Sequence, residues 1–480
     1  MKVLPTLACA CALLSASLSH PLHADEKDVA RMLEGVKLMP PTGYPGWIAV
    51  VGPAAFPVVV GREGGLDQTV VAAADFGAGR VVLFGHNGYV SPGSWDGGDG
   101  WRLLENCIRW ATRNERGKPR IGVWNNQGMA DALNKRGMVG ESIGDFARLE
   151  KGLKLDALFF SPWAFTGVQL ESLTKYVKGG GAILCGETGW GWSQYNGAMT
   201  GNGGNWLFGP MGLVFSDGIA HGRGADGFPI VRDLSPYLNA QTALDALLAK
   251  EPPLGFNEAA TRQATWTITQ AIRLLPDTDK LLRPRLAKLR GRPPAVPSKE
   301  RPLRASSTLD RIQLTLQVEE AFALPAIKVK ALPAAESFPG LLDGVAQRLI
   351  KVETINASLH DWRSTGLYAN AGELIEVTLP SEHVKKGWRV QLGCHTDNIA
   401  AHGEWHRSPR VVGSWPLDEV TTKVASPFGG LVYILPGEQA SGAVPVKIRG
   451  AVEAPRYVLG KTTNEEWARQ RTLGGLWAEV

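Results

Sequence analysis

The chain has 480 residues, of which 44% are hydrophobic and 20% are charged. This balance excludes intrinsic disorder and predicts several folded domains of roughly 100–200 residues each. Lys and Arg number 51 against 46 Asp and Glu, and a net charge of +5 over this length does not predict a nucleic-acid partner. Beyond the N-terminus, no apolar stretch is long enough to predict a membrane span.

The N-terminus has the pattern of a secretory signal. Lys2 precedes an apolar run over residues 3–18, and a small-residue cleavage site at 22–24 precedes Asp25. We therefore predict a signal peptide over residues 1–24 and a secreted, periplasmic or cell-surface location.

Cysteine usage predicts a fold without a disulfide framework. Removal of the signal takes away Cys9 and Cys11 and leaves Cys107, Cys185 and Cys394. An odd number of cysteines at wide spacing does not predict paired thiols. The mature protein is therefore expected to depend on its hydrophobic core.

Residues 25–225 alternate between strand-like and helix-like segments. Strands are predicted at 47–51, 70–74, 81–84, 121–124, 157–160 and 182–185, and helices at 101–112, 129–135 and 168–177. This alternation predicts a parallel sheet covered by helices, and we interpret the region as a flavodoxin-like α/β domain.

A helical segment and a basic linker are predicted over residues 226–305. The stretch from Lys280 to Arg304 holds nine Lys and Arg and five Pro, which predicts an exposed linker. A nucleic-acid patch is the alternative, but no aromatic residue alternates with these charges.

Strands are predicted after this linker. Residues 313–318 alternate strictly between polar and apolar side chains, and we predict a connecting strand region over 306–349. Several short strands with turn signals between them predict a β-sandwich over 350–455. Residues 462–472 have a helical pattern.

Cys185 is a candidate nucleophile at a strand end. Class I glutamine amidotransferases carry a thiol at this place, in a turn that needs small neighbours on both sides. Here Ile183 and Glu187 stand at those positions, and no His-x-Glu follows at a suitable distance. A structural role for Cys185 therefore fits the sequence better.

A second candidate is the cluster of His395, Asp397, His402, Glu404 and His406. The segment from His402 to His406 resembles the helical H-E-x-x-H zinc motif. Its Glu, however, does not directly follow the first His, as a general base facing the zinc-bound water must. A polar loop is the better interpretation of this cluster.

The third candidate is a long loop rich in Gly and Trp, which we predict over residues 189–209 because the sequence there lacks regular periodicity. Its large aromatic side chains could form a ligand-binding platform, or they could pack beneath the segment and hold it in place. A loop near the same sheet edge adds further candidates, since ligands of open α/β sheets bind at that edge. The candidate ligand-binding residues are Trp190, Trp192, Tyr195, Trp206, His86 and Trp95.

The C-terminal third resembles the enhancin/mucinase-type metallopeptidases, peptidase family M-60. The resemblance is carried by Trp362 with the run TGLYANAGE at 365–373, by 392–398, by 429–435 and by 457–467. It is similar above all to the branch of the cold-sensing channel-associated factors and their bacterial relatives. Upstream, VKGGGAILCGETGWGW and NWLFGPMG resemble the amidotransferase-like N-terminal region of that branch.

The resemblance implies that residues 350–455 precede a gluzincin-type zinc domain, whose beginning we place at 456–480. The zinc is expected only in that domain, so no catalytic or metal residue is carried over to this chain. Leu476 and Trp477 would then lack a partner. The resemblance implies the non-catalytic, binding and scaffold region of a secreted metallopeptidase acting on mucin-like glycoproteins. The alternative is a stand-alone protein that binds carbohydrate or glycoprotein without protease activity.

Overall fold

The computed structural model describes residues 26–163, 165, 167–342, 346–397, 399–470 and 474–478. The predicted signal peptide at 1–24 lies outside the described residues. Among the helices that are described, none combines the length and the apolar character needed to cross a bilayer.

The first part, here called the α/β region, covers residues 26–229. Its helices are α1 Glu26–Met32, α2 Gly100–Thr112, α3 Gln127–Lys135, α4 Ala147–Glu150, α5 Gly167–Lys178, α6 Gly189–Asn196 and α7 Gly203–Phe208. Its strands are β1 Leu38–Met39, β2 Gly46–Val50, β3 Ala55–Glu63, β4 Leu66–Phe76, β5 Gly79–Phe84, β6 Arg120–Trp124, β7 Val139–Ile143, β8 Ala157–Phe160, β9 Ala182–Gly186, β10 Leu213–Ile219 and β11 Phe228–Pro229.

The central sheet of this region has the strand order β3-β4-β5-β9-β8-β6-β7. The five strands from β5 to β7 in this order run parallel, while β3 and β4 extend the sheet in antiparallel fashion. Strands β8 and β9 are fully buried, as expected where helices cover both faces of a parallel sheet. The predicted alternation of strands and helices is confirmed.

The helical region, residues 236–337, follows. Its elements are α8 Ala240–Leu248, α9 Glu258–Leu274, α10 Arg283–Leu286, β12 Leu303–Arg304, α11 Thr308–Ala323 and α12 Ala334–Ser337. The helical segment predicted within 226–305 is confirmed by α8 and α9.

The prediction of a strand at 313–318 is wrong, because this segment lies inside helix α11. Ile312 and Leu316 pack into the core of the α/β region, whereas Leu314 and Val318 pack into a second cluster that includes Trp405. Two residues advance a helix by about 200°, so a helix buried on opposite sides alternates like a strand.

Two further expectations are corrected. The segment 189–209 is not an irregular loop, because it contains α6 and α7. The stretch from Lys280 is not a uniformly exposed linker, because Leu282, Leu286 and Leu289 are buried in the core. Its charged residues therefore lie on a packed segment.

The sandwich region covers residues 349–453 and is followed by one helix. Its strands are β13 Leu349–Asn356, β14 Arg363–Ala369, β15 Ile375–Thr378, β16 Arg389–Leu392, β17 Glu404–Trp405, β18 Gly413–Pro416, β19 Thr421–Val424, β20 Gly430–Leu435 and β21 Ala443–Glu453, and the helix is α13 Asn464–Gln470. The predicted strands and the helix near 462–472 are confirmed, the latter as far as residue 470.

Strand β21 joins the two sheets of this region into a near-barrel. β13, β21, β15 and β19 form one sheet, and β18, β16, β20 and β14 form the other. The last residues of β21 pair with β14, after a bend at Gly450 with φ +97°. The inward-facing side chains of both sheets, among them Val377, Val432 and Ile448, form one core.

Residues 474–478 lie against the sandwich region. The Gly475 amide donates a hydrogen bond to the carbonyl of Glu453 at 2.9 Å. The indole Nε1 of Trp477 donates to the carbonyl of Pro339 at 3.0 Å, and its ring contacts Phe338. Leu476 lies beside Gly340. The expectation that Leu476 and Trp477 lack a partner is wrong.

Candidate functional site

The carboxyl ends of β5 and β9 place His86 and Glu187 at the same edge of the parallel sheet. The Glu187 amide donates a hydrogen bond to the carbonyl of Phe84 at 3.1 Å. At Gly186 a Cβ atom would lie 2.7 Å from the carbonyl oxygen of His86, so only glycine permits this close approach. The two strand-end segments therefore pack against each other through their backbones.

The side chain of His86 stabilises the turn that follows β5. Its Nδ1 accepts a hydrogen bond from the Gly88 amide at 2.8 Å and caps the short helical turn at 87–90. Partial burial lowers the pKa of His86 below its ordinary value, so the ring is neutral at physiological pH. A ligand-binding role for His86 stays a prediction.

Cys185 has the environment of a structural thiol. It is fully buried inside β9, and burial together with the neighbouring Glu187 raises its pKa well above the ordinary value. A nucleophilic cysteine needs a stabilised thiolate. The environment therefore favours the structural role that the sequence indicated.

Aromatic rings fill the sheet edge beside β6 and β8. Trp124 stacks on Phe146 with ring centroids 4.1 Å apart, and Phe165 packs edge-on against Phe146. Phe160 contacts Phe165 at 5.0 Å and continues the cluster toward Phe208 in α7. This cluster occupies the place where ligands of open α/β sheets bind.

The aromatic residues of 189–209 divide into two kinds. Trp190 donates from Nε1 to the carbonyl of Tyr44 at 2.8 Å, and Trp192 is only 7% exposed. Tyr195 is 78% exposed on α6, and Trp206 is 55% exposed on α7. The first pair holds the segment in place, while the second pair is available to a ligand.

A buried polar network holds α7, which carries Trp206. Asn202 donates from Nδ2 to Oε1 of Glu187 at 2.5 Å, and its Oδ1 caps the helix at the Asn205 amide. Asn205 in turn exchanges two hydrogen bonds with the backbone of Phe215 in β10. The network therefore fixes α7 between the end of β9 and strand β10.

Glu187 is the titratable member of this network. It is 1% exposed, and its Oε2 has no hydrogen-bond partner in the described part of the chain. Burial raises its pKa to about 7, partly opposed by the hydrogen bond from Asn202. No local pattern in the sequence predicts this role, because only the fold shows that the carboxyl points inward.

Trp206 lies in an open cleft of about 740 Å³ between the α/β region, the helical region and Arg410. We call this the Trp206 cleft. Its lining residues are Ala198, Thr200, Asn205, Trp206, Gly209, Pro210, Val214, Arg273, Leu275, Pro276, Asp277, Thr278, Asp279, Lys280, Leu281, Arg283, Glu319, Phe322, Ala323 and Arg410. The volume falls within the range of small-molecule and cofactor sites.

One wall of the Trp206 cleft is held by a buried arginine. Arg283 donates hydrogen bonds to the carbonyls of Leu275 at 2.7 Å and Pro276 at 2.6 Å. Asp279 accepts from the backbone amides of Leu282 and Arg283, both at 2.8 Å. These bonds fix the turn between α9 and α10, so the wall is rigid without a ligand.

Charged groups of both signs lie around the cleft. Arg410 pairs with Glu319, and its guanidinium lies 4.1 Å above the ring of Phe322. Asp277 and Lys280 are exposed, and among the residues described their side chains form no hydrogen bond or ion pair. Asp277 thus offers a free acceptor and Lys280 a free donor in the cleft that Trp206 also lines.

The remaining candidate, Trp95, is 3% exposed and lies at a second cleft between α1, α2 and α3. The fold therefore does not assemble the six predicted aromatic and histidine residues into one platform. Trp206 and Trp95 lie at different clefts, and His86 lies at the sheet edge.

Two parts of the chain match family models. Residues 346–449 match the N-terminal domain of M60-like peptidases, and residues 11–224 match the model described as the TRPM8 N-terminal domain. The chain is therefore similar to the M60-like peptidases and to the TRPM8 channel-associated factors. The predicted resemblance is confirmed.

Similar curated proteins are TRPM8 channel-associated factors. The human factor 2 is 29% identical, and the match covers 94% of this chain and 49% of that protein. The Bos taurus factor 1 is 27% identical, and the match covers 95% of this chain and 49% of that protein. The Danio rerio homolog is 26% identical, and the match covers 95% of this chain and 49% of that protein. The chain spans about half the length of the curated relatives it matches.

Among solved structures, the IMPa metallopeptidase of Pseudomonas aeruginosa is similar. Its complex with an O-glycopeptide has a TM-score of 0.43 and 13% identity, covering 93% of this chain and 55% of that chain. Its complex with T-antigen has a TM-score of 0.40 and 15% identity, and the match covers 92% of this chain and 56% of that chain.

In this chain, the residues of the cluster at 395–406 form other contacts. Asp397 forms a two-pronged ion pair with Arg407, with both distances 2.7 Å, and Glu404 pairs with Arg304 at 3.3 Å. Within the residues that the structure describes, no group of three His, Cys, Asp or Glu could hold a metal ion. The contacts here favour the interpretation as a polar loop, and we derive no zinc chemistry from it.

Proposed function

We propose that this chain is a non-catalytic binding and scaffold region of an M60-like protein, and that the Trp206 cleft binds a glycoprotein. The observation that carries the proposal is the exposed indole of Trp206 at the cleft, beside the free charges of Asp277 and Lys280. Under this proposal the chain supplies no zinc ligand and no catalytic group.

The geometry of Trp206 supports a planar ligand surface such as a sugar ring. Its Nε1 donates to the carbonyl of Thr200 at 2.7 Å, so the indole is held in one orientation while more than half of it stays exposed. An indole presents a flat apolar face, and a fixed ring loses little conformational entropy on binding. The hydroxyl and amide groups of a glycopeptide could then pair with the rim charges.

The aromatic cluster at the sheet edge supports the Trp206 cleft as the ligand site. We infer that the α/β region is flavodoxin-like, because β7-β6-β8-β9 follows the order 2-1-3-4, and β5 takes the fifth place. The switch point of that order lies between β6 and β8, where Trp124 and Phe160 belong to the aromatic cluster. Binding is thereby displaced to the open Trp206 cleft.

The glycoprotein class and the secreted or surface location are proposed from the resemblance of residues 362–373 to the mucinase-type peptidases. The charge distribution supports a ligand that is not a nucleic acid. The cleft carries Arg273, Lys280, Arg283 and Arg410 together with Asp277, Asp279 and Glu319, so it is no uniformly basic groove.

The test compares binding of a mucin-type O-glycopeptide and of the same peptide without sugar by isothermal titration calorimetry. We expect Trp206→Ala to weaken glycopeptide binding by at least about tenfold, which corresponds to about 1.4 kcal/mol. Thermal unfolding of both proteins shows whether the variant is folded, since an exposed side chain contributes little to stability.

The matched control is Tyr195→Ala, which removes an exposed ring from the same segment but does not line the Trp206 cleft. We expect this variant to bind as the unaltered protein does. Two results would show that the glycopeptide does not bind in the cleft. One is unchanged glycopeptide binding in Trp206→Ala, and the other is a loss of glycopeptide binding in Tyr195→Ala.

A further inference from the structure

A second cleft of about 870 Å³ lies on the other side of the α/β region, and we call it the Arg102 cleft. It is bounded by the turn after α1, the loop before α2, α2 itself and the end of α3. The residues that line it include Glu34, Gly35, Trp95, Asp99, Arg102 and Arg136. It shares none of these with the Trp206 cleft.

Most of the charges in the Arg102 cleft neutralise each other. Arg109 forms an ion pair with Glu105 at 2.7 Å on α2. Arg136 pairs with Asp96, and its guanidinium lies over the Trp101 ring at 4.9 Å. These pairs leave neither a strong positive nor a strong negative field for a highly charged ligand.

Several polar groups of the cleft have no partner within the described residues. The Arg102 guanidinium and the Glu34 carboxylate form no hydrogen bond or ion pair there. The indole Nε1 of Trp95 is buried and unpaired, although buried donors normally find an acceptor. Asp99 uses one oxygen for the amides of Lys37 and Leu38 and keeps the other free.

The Arg102 guanidinium lies close to the backbone of Gly35. Gly35 has φ +68°, and a Cβ atom there would collide with the Arg102 guanidinium. A side chain at residue 35 would therefore be both strained and obstructed. The guanidinium consequently lies directly against the turn that also presents Glu34.

We propose that the Arg102 cleft binds a neutral saccharide. The free groups of the cleft are the donors of Arg102 and the acceptors of Glu34 and Asp99. A hydroxyl both donates and accepts, so one sugar satisfies both kinds of group. An anion would be repelled by Glu34 and Asp99, and a cation by Arg102. The proposal is independent of the Trp206 cleft.

The experiment applies the full chain to an array of neutral and sialylated glycans, with titrations of glycine and inorganic phosphate as separate probes. We expect neutral glycans on the array to bind the unaltered protein. This binding should be lost in Arg102→Ala and weakened at least about tenfold in Glu34→Gln. Trp206→Ala should leave these signals unchanged, so that failure of one site is distinguishable from failure of the other. Arg116→Ala removes an exposed arginine that does not line the cleft, and it should bind normally.

Two results would overturn the proposal. Either no neutral glycan signal depends on Arg102, or binding of glycine or phosphate depends on Arg102 while that of neutral glycans does not. Both Arg102 and Glu34 are exposed and unpaired in the described structure, so their substitution is not expected to prevent folding. Thermal unfolding of each variant checks this point directly.

Discussion

Glu187 shows how one buried carboxyl makes stability depend on pH. Its raised pKa of about 7 exceeds the ordinary value of 4.5, so the folded protein keeps a proton that the unfolded chain releases between these values. Stability therefore falls as pH rises from about 4.5 and becomes constant above about 7. The ionised form leaves Oε2 charged and unpaired in the described structure.

We expect Glu187→Gln to remove this pH dependence, because glutamine keeps the acceptor for Asn202 and cannot ionise. Relative to the variant, the unaltered protein should lose roughly 2–4 kcal/mol of unfolding free energy between pH 4 and pH 9, at about 1.4 kcal/mol per pKa unit. Urea denaturation across this range measures the difference.

The control for this prediction is Glu171→Gln, an exposed carboxyl on α5. It should follow the unaltered protein at every pH. Parallel stability curves for the unaltered protein and Glu187→Gln would contradict the prediction, because they would mean that Glu187 does not titrate on unfolding.

At this scale the sequence identified residue types but not their orientation. Trp192 and Trp206 stand in the same Gly-rich segment, yet one is 7% exposed and the other 55%. Their exposure depends on where α6 and α7 pack, which local composition does not determine. Glu187 and Arg102 have no local signal either, since their significance comes from burial and from a cleft assembled by distant segments.

At the scale of elements, most of the α/β region was predictable because its strands and helices have distinct periods. Strand β3 was missed, since Pro57 interrupts it, and a register irregularity follows that residue. Helix α11 was misread for the opposite reason. Its pattern is regular, but burial on two sides gives a period of two, and only the tertiary contacts separate such a helix from a strand.

The bend of β21 gives a prediction for a single position. Gly450 has φ +97°, and a Cβ atom would lie 2.7 Å from the carbonyl oxygen of Leu374. We expect Gly450→Ala to lower the free energy of unfolding by roughly 2–4 kcal/mol, because backbone strain and a steric clash act together. Urea denaturation monitored by tryptophan fluorescence measures the change.

Gly442→Ala is the matched control. Gly442 also has a positive φ, +78°, but nothing lies within 4 Å of a Cβ atom there. Its loss should be limited to strain of about 1–2 kcal/mol. Equal losses at the two positions would show that the close approach to Leu374 does not constrain β21.

At the scale of the whole molecule, Arg311 connects the helical region to the sandwich region. It is 5% exposed, donates to the carbonyls of Leu303 at 2.7 Å and His402 at 3.1 Å, and lies 4.5 Å from the Trp405 ring. Burial lowers its pKa to about 10. The guanidinium therefore joins two parts of the chain that are 91 residues apart.

We expect Arg311→Ala to lower the free energy of unfolding by about 2–3 kcal/mol, because it leaves buried carbonyls unpaired. Arg311→Lys should recover little, since an ammonium cannot reproduce the planar fork. Hydrogen exchange should increase at 399–406 in both variants. The exposed Arg301, replaced by Ala, should change neither quantity, and unchanged exchange in Arg311→Ala would contradict the prediction.

Helix α11 has a consequence for how this protein can be divided or recombined. A fragment that stops before residue 308 would expose the surface of the α/β core that Ile312 and Leu316 cover. A fragment that starts there would carry the same side chains unburied on its own surface. Either fragment, expressed alone, should therefore be poorly soluble and prone to aggregation. Chimeras with relatives should succeed only when the crossover lies outside residues 308–323, so that the helix and both of its neighbours come from one parent.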